Sequence, residues 1–190
     1  LEQLLDEAES PEVTRFLRAV DVRIDGFRVE KSPEWRGQRV FVRHEVDGKG
    51  YELRLSEESA GTQKLIGLAA YLMTALERGS TVVVDELDAK LHPKLLRYVI
   101  LLFKDPAVNK NGAQLIFSSQ DVSTMRNDVF RRDEIWFAAR GEGEASQLWS
   151  LADIHEANGN LVSKNAAFDK QYLSGRYGAD PYLTRIEEWD

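Results

Sequence analysis

The sequence predicts an α/β domain in which parallel core strands are flanked by helices and accompanied by an antiparallel hairpin. A short β-branched run at residues 81–85 is followed by a helical segment from Pro93 and then by a second apolar run at residues 115–117. Strand, helix and strand at this spacing form a βαβ unit, whose two strands lie parallel and adjacent. Apolar residues that alternate on both sides of a glycine-rich turn at residues 47–50 predict the hairpin.

The composition fits one compact domain and excludes several classes of protein. The 190 residues are 43% hydrophobic and 30% charged, which suffices for one sizeable core. Twenty-five basic against 32 acidic side chains give a net charge of −7, which argues against a polybasic, phosphate-coating protein. The chain lacks cysteine, a signal-peptide pattern and an apolar run of membrane length, so we expect a cytoplasmic protein without membrane contact. Because it begins at Leu1 rather than methionine, we expect a fragment or an excised domain.

Two amphipathic helices and the hairpin are predicted before residue 58. Apolar residues spaced by three and four predict helices over residues 1–8 and 13–20, and Ser10-Pro11 is typical of an N-cap and a first helical position. Alternation then predicts strands over residues 40–46 and 51–55. His44 shares a strand face with valines, so we interpret it as a partly buried packing residue.

The central elements follow in the order helix, strand, helix, strand. Apolar residues predict a helix over residues 62–78, and Gly79 supplies its stop signal. The continuous apolar run at residues 81–84 is typical of a strand that is buried on both faces. The helix that begins at Pro93 is expected to end at Asp105-Pro106.

A second hairpin and a short helix are predicted near the end of the chain. Residues 134–139 and 146–150 should pair as antiparallel strands, with Trp136 and Trp149 in core or cross-strand packing. A polar loop at residues 155–164 should precede a helix near residues 168–173. We therefore expect three segments, residues 1–57, 58–151 and 152–190, of which the middle one holds the chemistry.

Acidic residues follow the first apolar strand directly. Asp85 and Glu86 end this run, and Asp88 comes two residues later. A carboxylate at the carboxyl end of a parallel strand points into the crevice where α/β proteins bind ligands. In an NTPase the first acid holds Mg²⁺ and the second orients the attacking water. Many apolar strands end in an acid, so this pattern alone is a weak indication of a nucleotide site.

A second feature is the small-residue start of the preceding helix, Ser59-Ala60-Gly61-Thr62. Free backbone N–H groups and the helix dipole make such a start an anion site, and Gly61 permits close approach. Taken alone, a serine and a threonine before a helix favour an ordinary N-cap over an anion site.

Taken in order, these elements resemble the C-terminal half of an ATP-binding-cassette (ABC) ATPase, a partial P-loop NTPase domain. Ser59–Thr62 resembles the signature motif, Val82–Glu86 the Walker B motif and Leu87–Ala89 the D-loop, and Gln120 falls at the switch position. More narrowly, four segments resemble bacterial AAA/ABC-like ATPases associated with abortive infection and restriction-linked phage defence, which are related to the ATPase part of OLD nucleases. These segments are residues 58–65, 85–93, 130–137 and 172–178.

The sequence departs from this pattern in two ways. A P-loop needs G-x-x-x-x-G-K-[ST], and the one Gly-Lys pair, Gly48-Lys49, is followed by glycine and has Arg43 where the first glycine should stand. The resemblance implies that the Walker A motif and the Q-loop lie N-terminal to Leu1. Gln120 stands where the family usually has histidine, and an amide cannot carry the imidazolium charge, so we expect slow or altered hydrolysis.

The resemblance implies a nucleotide-sandwich homodimer with ATP and Mg²⁺ as cofactors. Asp85 would help to hold Mg²⁺, Glu86 would position the water, and Asp88 would lie at the dimer seam. The segment Ser59–Thr62 would reach the γ-phosphate bound by the opposite subunit. ATP would then favour the closed dimer and hydrolysis would release it. The isolated chain would be inactive until the Walker A half completes it, and a nuclease or toxin effector would act downstream.

Two other classes of function remain open from the residues. Asp85, Glu86 and Asp88 resemble the clustered carboxylates of a two-metal nuclease, although no further acidic cluster is evident. A non-catalytic docking domain would use Ser59 and Glu86 only structurally. Arginines at positions 15, 18, 23 and 28 are interleaved with acids, which favours a mixed surface over a nucleic-acid stripe.

Overall fold

A computed structural model describes residues 11–20, 24–31, 38–140, 145–156 and 158–179 of the chain. The helix predicted over residues 1–8, the N-cap at Ser10 and the tail beyond residue 179 lie outside the described residues. The chain divides into two compact units, Leu1–Gln120 and Asp121–Asp190. No helix in the described part of the chain combines the length and the apolar content that a bilayer crossing requires.

The described part of the first unit opens with helix α1 and a three-stranded antiparallel sheet. Helix α1 spans Pro11–Ala19, and the strands are β1 (Gly26–Lys31), β2 (Gln38–Val46) and β3 (Lys49–Arg54), in the order β1-β2-β3. The predicted hairpin is confirmed as β2–β3, but its turn has only two residues. Asp47 and Gly48 both have positive φ, 52° and 72°, which matches the right-handed twist of the two strands. Leu55 leaves the predicted strand and opens a 3₁₀ turn, Leu55–Glu57.

The βαβ unit follows in the order that the sequence predicts. Helix α2 spans Ala60–Arg78, strand β4 Thr81–Val84, helix α3 Pro93–Lys104 and strand β5 Gln114–Phe117. The strands pair in parallel, with Thr81 opposite Gln114 and Val84 opposite Phe117. Gly79 ends α2 at φ 67°, and a Cβ there would lie 2.3 Å from the Asn111 carbonyl oxygen, so no larger residue fits.

The prediction that β4 is buried on both faces is wrong for the described structure. Val83 is 71% exposed and its partner Ile116 is 55% exposed, whereas Val82 and Val84 are half-buried. Among the described residues this sheet has two strands, and side chains alternate between its faces, so only one face is covered. The buried core of the helices lies at Val13, Phe16, Leu17, Leu65, Ala69, Leu72, Leu96, Val99 and Ile100.

The second unit contains the predicted closing hairpin and a short helix. Strand β6 spans Trp136–Arg140, β7 Ser146–Ser150 and helix α4 Phe168–Leu173, and the strands are antiparallel. Phe137 is buried and packs against Trp149 at a ring-centroid distance of 6.1 Å. Trp136 is 57% exposed, because adjacent strand residues face opposite sides and Phe137 takes the inward position. Of the two roles predicted for Trp136, the core role is therefore wrong.

Candidate functional site

The predicted acids follow strand β4, at the edge of the sheet where the parallel strand β5 also ends. Asp85 follows β4 directly and Ser118 follows β5. The Ser118 hydroxyl donates a hydrogen bond to Asp85 Oδ1 and accepts one from the Glu86 backbone N–H at 2.8 Å. The Leu87 N–H donates to the Ser118 carbonyl oxygen at 3.0 Å. Ser118 therefore fixes both the Asp85 side chain and the backbone of the following loop.

The loop after β4 contains two residues in the left-handed backbone region. Glu86 has φ 48° and Lys90 has φ 65°. A non-glycine residue in this region costs about 1–3 kcal/mol, and it persists only where its surroundings fix it. Such residues cluster at functional sites, so this strain points to the Glu86–Lys90 loop as a candidate site.

Asp88 lies in the same loop with one oxygen bonded and the other buried without a partner. Its Oδ2 accepts a hydrogen bond from the Gln120 backbone N–H at 3.2 Å. Its Oδ1 is buried and has no hydrogen-bond partner among the described residues. A buried carboxylate oxygen without a donor is costly, so this atom marks a place where a donor from outside these residues would stabilise the loop. The Gln120 side chain is exposed.

The start of α2 has the N-cap that the sequence allowed. Ser59 is the N-cap residue, and its Oγ accepts a hydrogen bond from the Thr62 N–H at 3.1 Å. Ser59 Oγ and Thr62 Oγ1 also share a hydrogen bond of 2.8 Å. That bond uses one of the two hydroxyl protons, so the other can be donated to a further acceptor. Ala60 is the exposed first residue of the helix.

The carboxylate beside this helix start is held by a histidine. His44 Nε2 lies 2.6 Å from Glu58 Oε1, and the Gln63 side-chain amide donates to the Glu58 carbonyl oxygen at 2.8 Å. His44 is half-buried, as expected, but the prediction of a packing role missed its polar partner. The β2–β3 hairpin is thus tied to the segment that opens α2.

The N-terminal end of α2 contacts the strained loop at two points, Gly61 and Lys64. A Cβ on Gly61 would lie 2.8 Å from the Lys90 carbonyl oxygen, so the close approach predicted at Gly61 occurs, with the chain's own backbone. Lys64 Nζ donates to the Glu86 carbonyl oxygen at 2.5 Å. Sequence reasoning missed Lys64 and gave no role to Ser118. The parallel register was the available signal for Ser118, because it sets Ser118 beside Asp85.

The remaining candidates outside this loop have local structural roles. His92 caps α3, with its Nδ1 accepting from the Lys94 N–H at 3.1 Å, as the sequence suggested. Arg28 pairs with Glu52 at 2.8 Å, and this hydrogen bond holds the Glu52 carboxyl pKa below its usual value. Arg18 pairs with Asp25 at 2.9 Å, so these two arginines belong to a surface of mixed charge.

The acids do not form a ready-made metal cluster. Within the described residues, no group of three or more histidine, aspartate or glutamate side chains lies close enough to hold a metal ion. A two-metal nuclease centre at Asp85, Glu86 and Asp88 therefore gains no support from the geometry. A single carboxylate such as Asp85 could hold Mg²⁺, because that ion takes one or two carboxylates and completes its shell with water and phosphates.

Comparison with known families decides the kind of domain. Residues 4–126, well over half of the chain, match the model of a family described as "AAA domain, putative AbiEii toxin, Type IV TA system". The chain belongs to this AAA family. The α/β fold class and the resemblance to an AAA/ABC-like ATPase of the abortive-infection type are thereby confirmed. The narrower relation to OLD-type ATPases stays a prediction.

A solved structure gives a more distant comparison for this AAA domain. It comes from work entitled "Structural biochemistry of ATP-driven dimerization and DNA stimulated activation of SMC ATPases", and it is 17% identical in sequence. The match has a TM-score of 0.47 and covers 73% of this chain and 83% of the other chain. Among curated proteins, no sequence matches this chain.

Proposed function

We propose that this AAA domain is the signature and Walker B part of an ATPase that hydrolyses ATP in a nucleotide-sandwich homodimer. The observation that carries the proposal is the convergence of α2 and the Glu86–Lys90 loop at the carboxyl ends of β4 and β5. Ligands of open α/β sheets bind at this edge. The hydrogen bonds of Ser118 and Lys64 give the acidic residues there a defined geometry.

The exposed face of the β4–β5 sheet is an argument that a further part of the ATPase covers it. Val83 and Ile116 are adjacent across the β4–β5 pair and are mostly exposed. Parallel sheets of α/β proteins are covered on both faces. The sequence also contains no G-x-x-x-x-G-K-[ST] run. We infer that a segment carrying the P-loop packs on this face and supplies the phosphate cradle.

The start of α2 is suited to a phosphate oxygen from a second subunit. Helix α2 has 19 residues and no acidic residue in its first turn, so its N-terminal dipole is not neutralised there. The spare hydroxyl proton of the Ser59–Thr62 pair adds a donor beside the amide of Gly61, whereas the Thr62 N–H is used by the Ser59 cap. Glu58 is the acid that directly precedes Ser59 in the sequence, and its carboxylate is already bonded to His44.

Asp85, Glu86 and Gln120 would have different roles in ATP hydrolysis. Asp85 would hold Mg²⁺, which supplies charge neutralisation for the phosphates when it is bound. Glu86 would accept the proton of the attacking water. Gln120 would donate an amide hydrogen bond to the γ-phosphate in place of the histidine of its relatives, which predicts a slow turnover.

The unpartnered, buried oxygen of Asp88 is an argument that the loop contacts a second subunit in a dimer. Asp88 Oδ1 needs a hydrogen-bond donor, and a loop that faces the second subunit would receive one on closure. ATP would then stabilise the dimer and hydrolysis would open it. In the defence role that the abortive-infection family suggests, this cycle would gate a nuclease or toxin effector.

The test is ATP hydrolysis by the protein completed with its P-loop segment. Glu86→Gln should lower kcat by about 100-fold or more, the usual contribution of a general base, and should trap an ATP-bound dimer in light scattering. Glu77→Gln removes an exposed carboxylate from the far end of α2 and should leave kcat unchanged. Normal hydrolysis by Glu86→Gln would refute the assignment. Manganese-dependent nicking of DNA that Asp85→Asn abolishes and ATP does not affect would favour a nuclease instead.

A further inference from the structure

The two left-handed residues of the loop, Glu86 and Lys90, both contact the N-terminal end of α2. Gly61 lies against the carbonyl oxygen of Lys90, and Lys64 donates to the carbonyl oxygen of Glu86. Residues three apart on a helix lie on the same face. One face of a single helical turn therefore contacts both strained carbonyl groups.

Glu86 is held at both of its backbone polar groups. Its N–H donates to Ser118 Oγ at 2.8 Å. Its carbonyl oxygen accepts from the Ala89 N–H within the loop at 3.1 Å and from Lys64 Nζ of α2 at 2.5 Å. Glu86 has φ 48°, a conformation that a non-glycine residue keeps only under such constraint. The direction of the Glu86 carboxylate depends on this backbone conformation, although Lys64 does not touch the carboxylate itself.

We propose that Lys64 is a positioning residue that holds Glu86 in its left-handed conformation and couples it to the start of α2. The inference rests on the proposed function, in which Glu86 acts on the ATP of its own chain and the start of α2 contacts the γ-phosphate of the partner's ATP. A shift of α2 on phosphate binding is then passed by Lys64 to the carboxylate that activates water. Lys64 thereby links the two ATP sites of the dimer.

The experiment compares three variants of the protein completed with its P-loop segment. Lys64→Met removes the ammonium and keeps the aliphatic stem, whereas Lys64→Arg keeps a cationic donor. Lys110→Met makes the same change at an exposed lysine in the turn before β5 and serves as the matched control.

Two readouts are expected to change in Lys64→Met. Hydrogen exchange followed by mass spectrometry should show the peptide containing Glu86 and Leu87 exchanging about tenfold faster, because the loop opens more often. The kcat for ATP should fall about 10-fold to 100-fold, as for a catalytic group displaced by about 1 Å, while KM changes by less than about twofold. Lys64→Arg should recover most of both values, and Lys110→Met should match the unsubstituted protein.

Several results would overturn the inference while leaving the proposed function intact. These are unchanged exchange and kcat in Lys64→Met, or equal losses in Lys64→Arg and Lys64→Met, in a protein whose hydrolysis still depends on Glu86. If the unsubstituted protein hydrolyses no ATP, the proposed function and the coupling of the two sites both fail. The exchange rate of the Glu86 peptide then still decides whether Lys64 holds this residue.

Discussion

Two glycines in α2 should respond in opposite directions to the same substitution. A Cβ at Gly61 would lie 2.8 Å from the Lys90 carbonyl oxygen, whereas ordinary contacts begin near 3.4 Å. At Gly67, on an exposed position of the same helix, nothing lies within 4 Å of the added atom. Gly67→Ala should therefore stabilise the protein by about 0.5–1 kcal/mol through helix propensity.

The crowding at Gly61 reverses this gain. The neighbouring atom is backbone oxygen of a residue already held at positive φ, so it cannot turn aside as a flexible side chain would. Overpacking of this kind costs about 1–3 kcal/mol. Gly61→Ala should therefore be less stable than Gly67→Ala by about that amount, in urea unfolding followed by circular dichroism. Equal stabilisation by both substitutions would show that α2 does not press against the Lys90 carbonyl group.

Two further predictions concern Ser118 and Tyr177. Ser118→Ala removes one hydrogen bond to Asp85 and one to Glu86, so it should lower the free energy of unfolding by about 1–2 kcal/mol, and a loss no larger than that of the exposed control Ser56→Ala would contradict this. Burial raises the pKa of Tyr177 to about 12 from 10.0, so the stability that its neutral form contributes is complete below pH 10 and is lost as the pH rises through 12. Thermal unfolding across this range, with tyrosinate absorbance recorded in parallel, should show a loss that Tyr177→Phe lacks; an identical loss in Tyr177→Phe would contradict the assignment.

Local patterns in the sequence predicted every described strand except β1. The hairpin at Asp47-Gly48 and the helix stop at Gly79 follow from backbone preferences that a few residues determine. Strand β1 was missed because its apolar residues, Phe27 and Val29, are too few to define a period among charged neighbours. It is identified only by its pairing with β2.

In the candidate site, too, local patterns identify some residues and long-range contacts identify the others. Asp85 and Glu86 are visible in sequence because they end an apolar run, and Ser59 because it precedes a helix. The contacts of Lys64 and Ser118 with Glu86 bridge 22 and 32 positions, so no local pattern marks them. The burial of β4 was overestimated for a related reason. A run of valines indicates that a strand favours burial on both faces, but the described residues cover one face only.

Binding of Mg·ATP tests the central claim most directly. The affinity should be measured by titration calorimetry for these 190 residues alone and again after the P-loop segment is supplied. We expect no measurable binding by the chain alone, because its own contacts with a nucleotide are limited to loop acids and a helix start, and tight binding once the phosphate cradle is present. Tight binding of Mg·ATP by the 190 residues alone would contradict the claim that they hold only part of each ATP site.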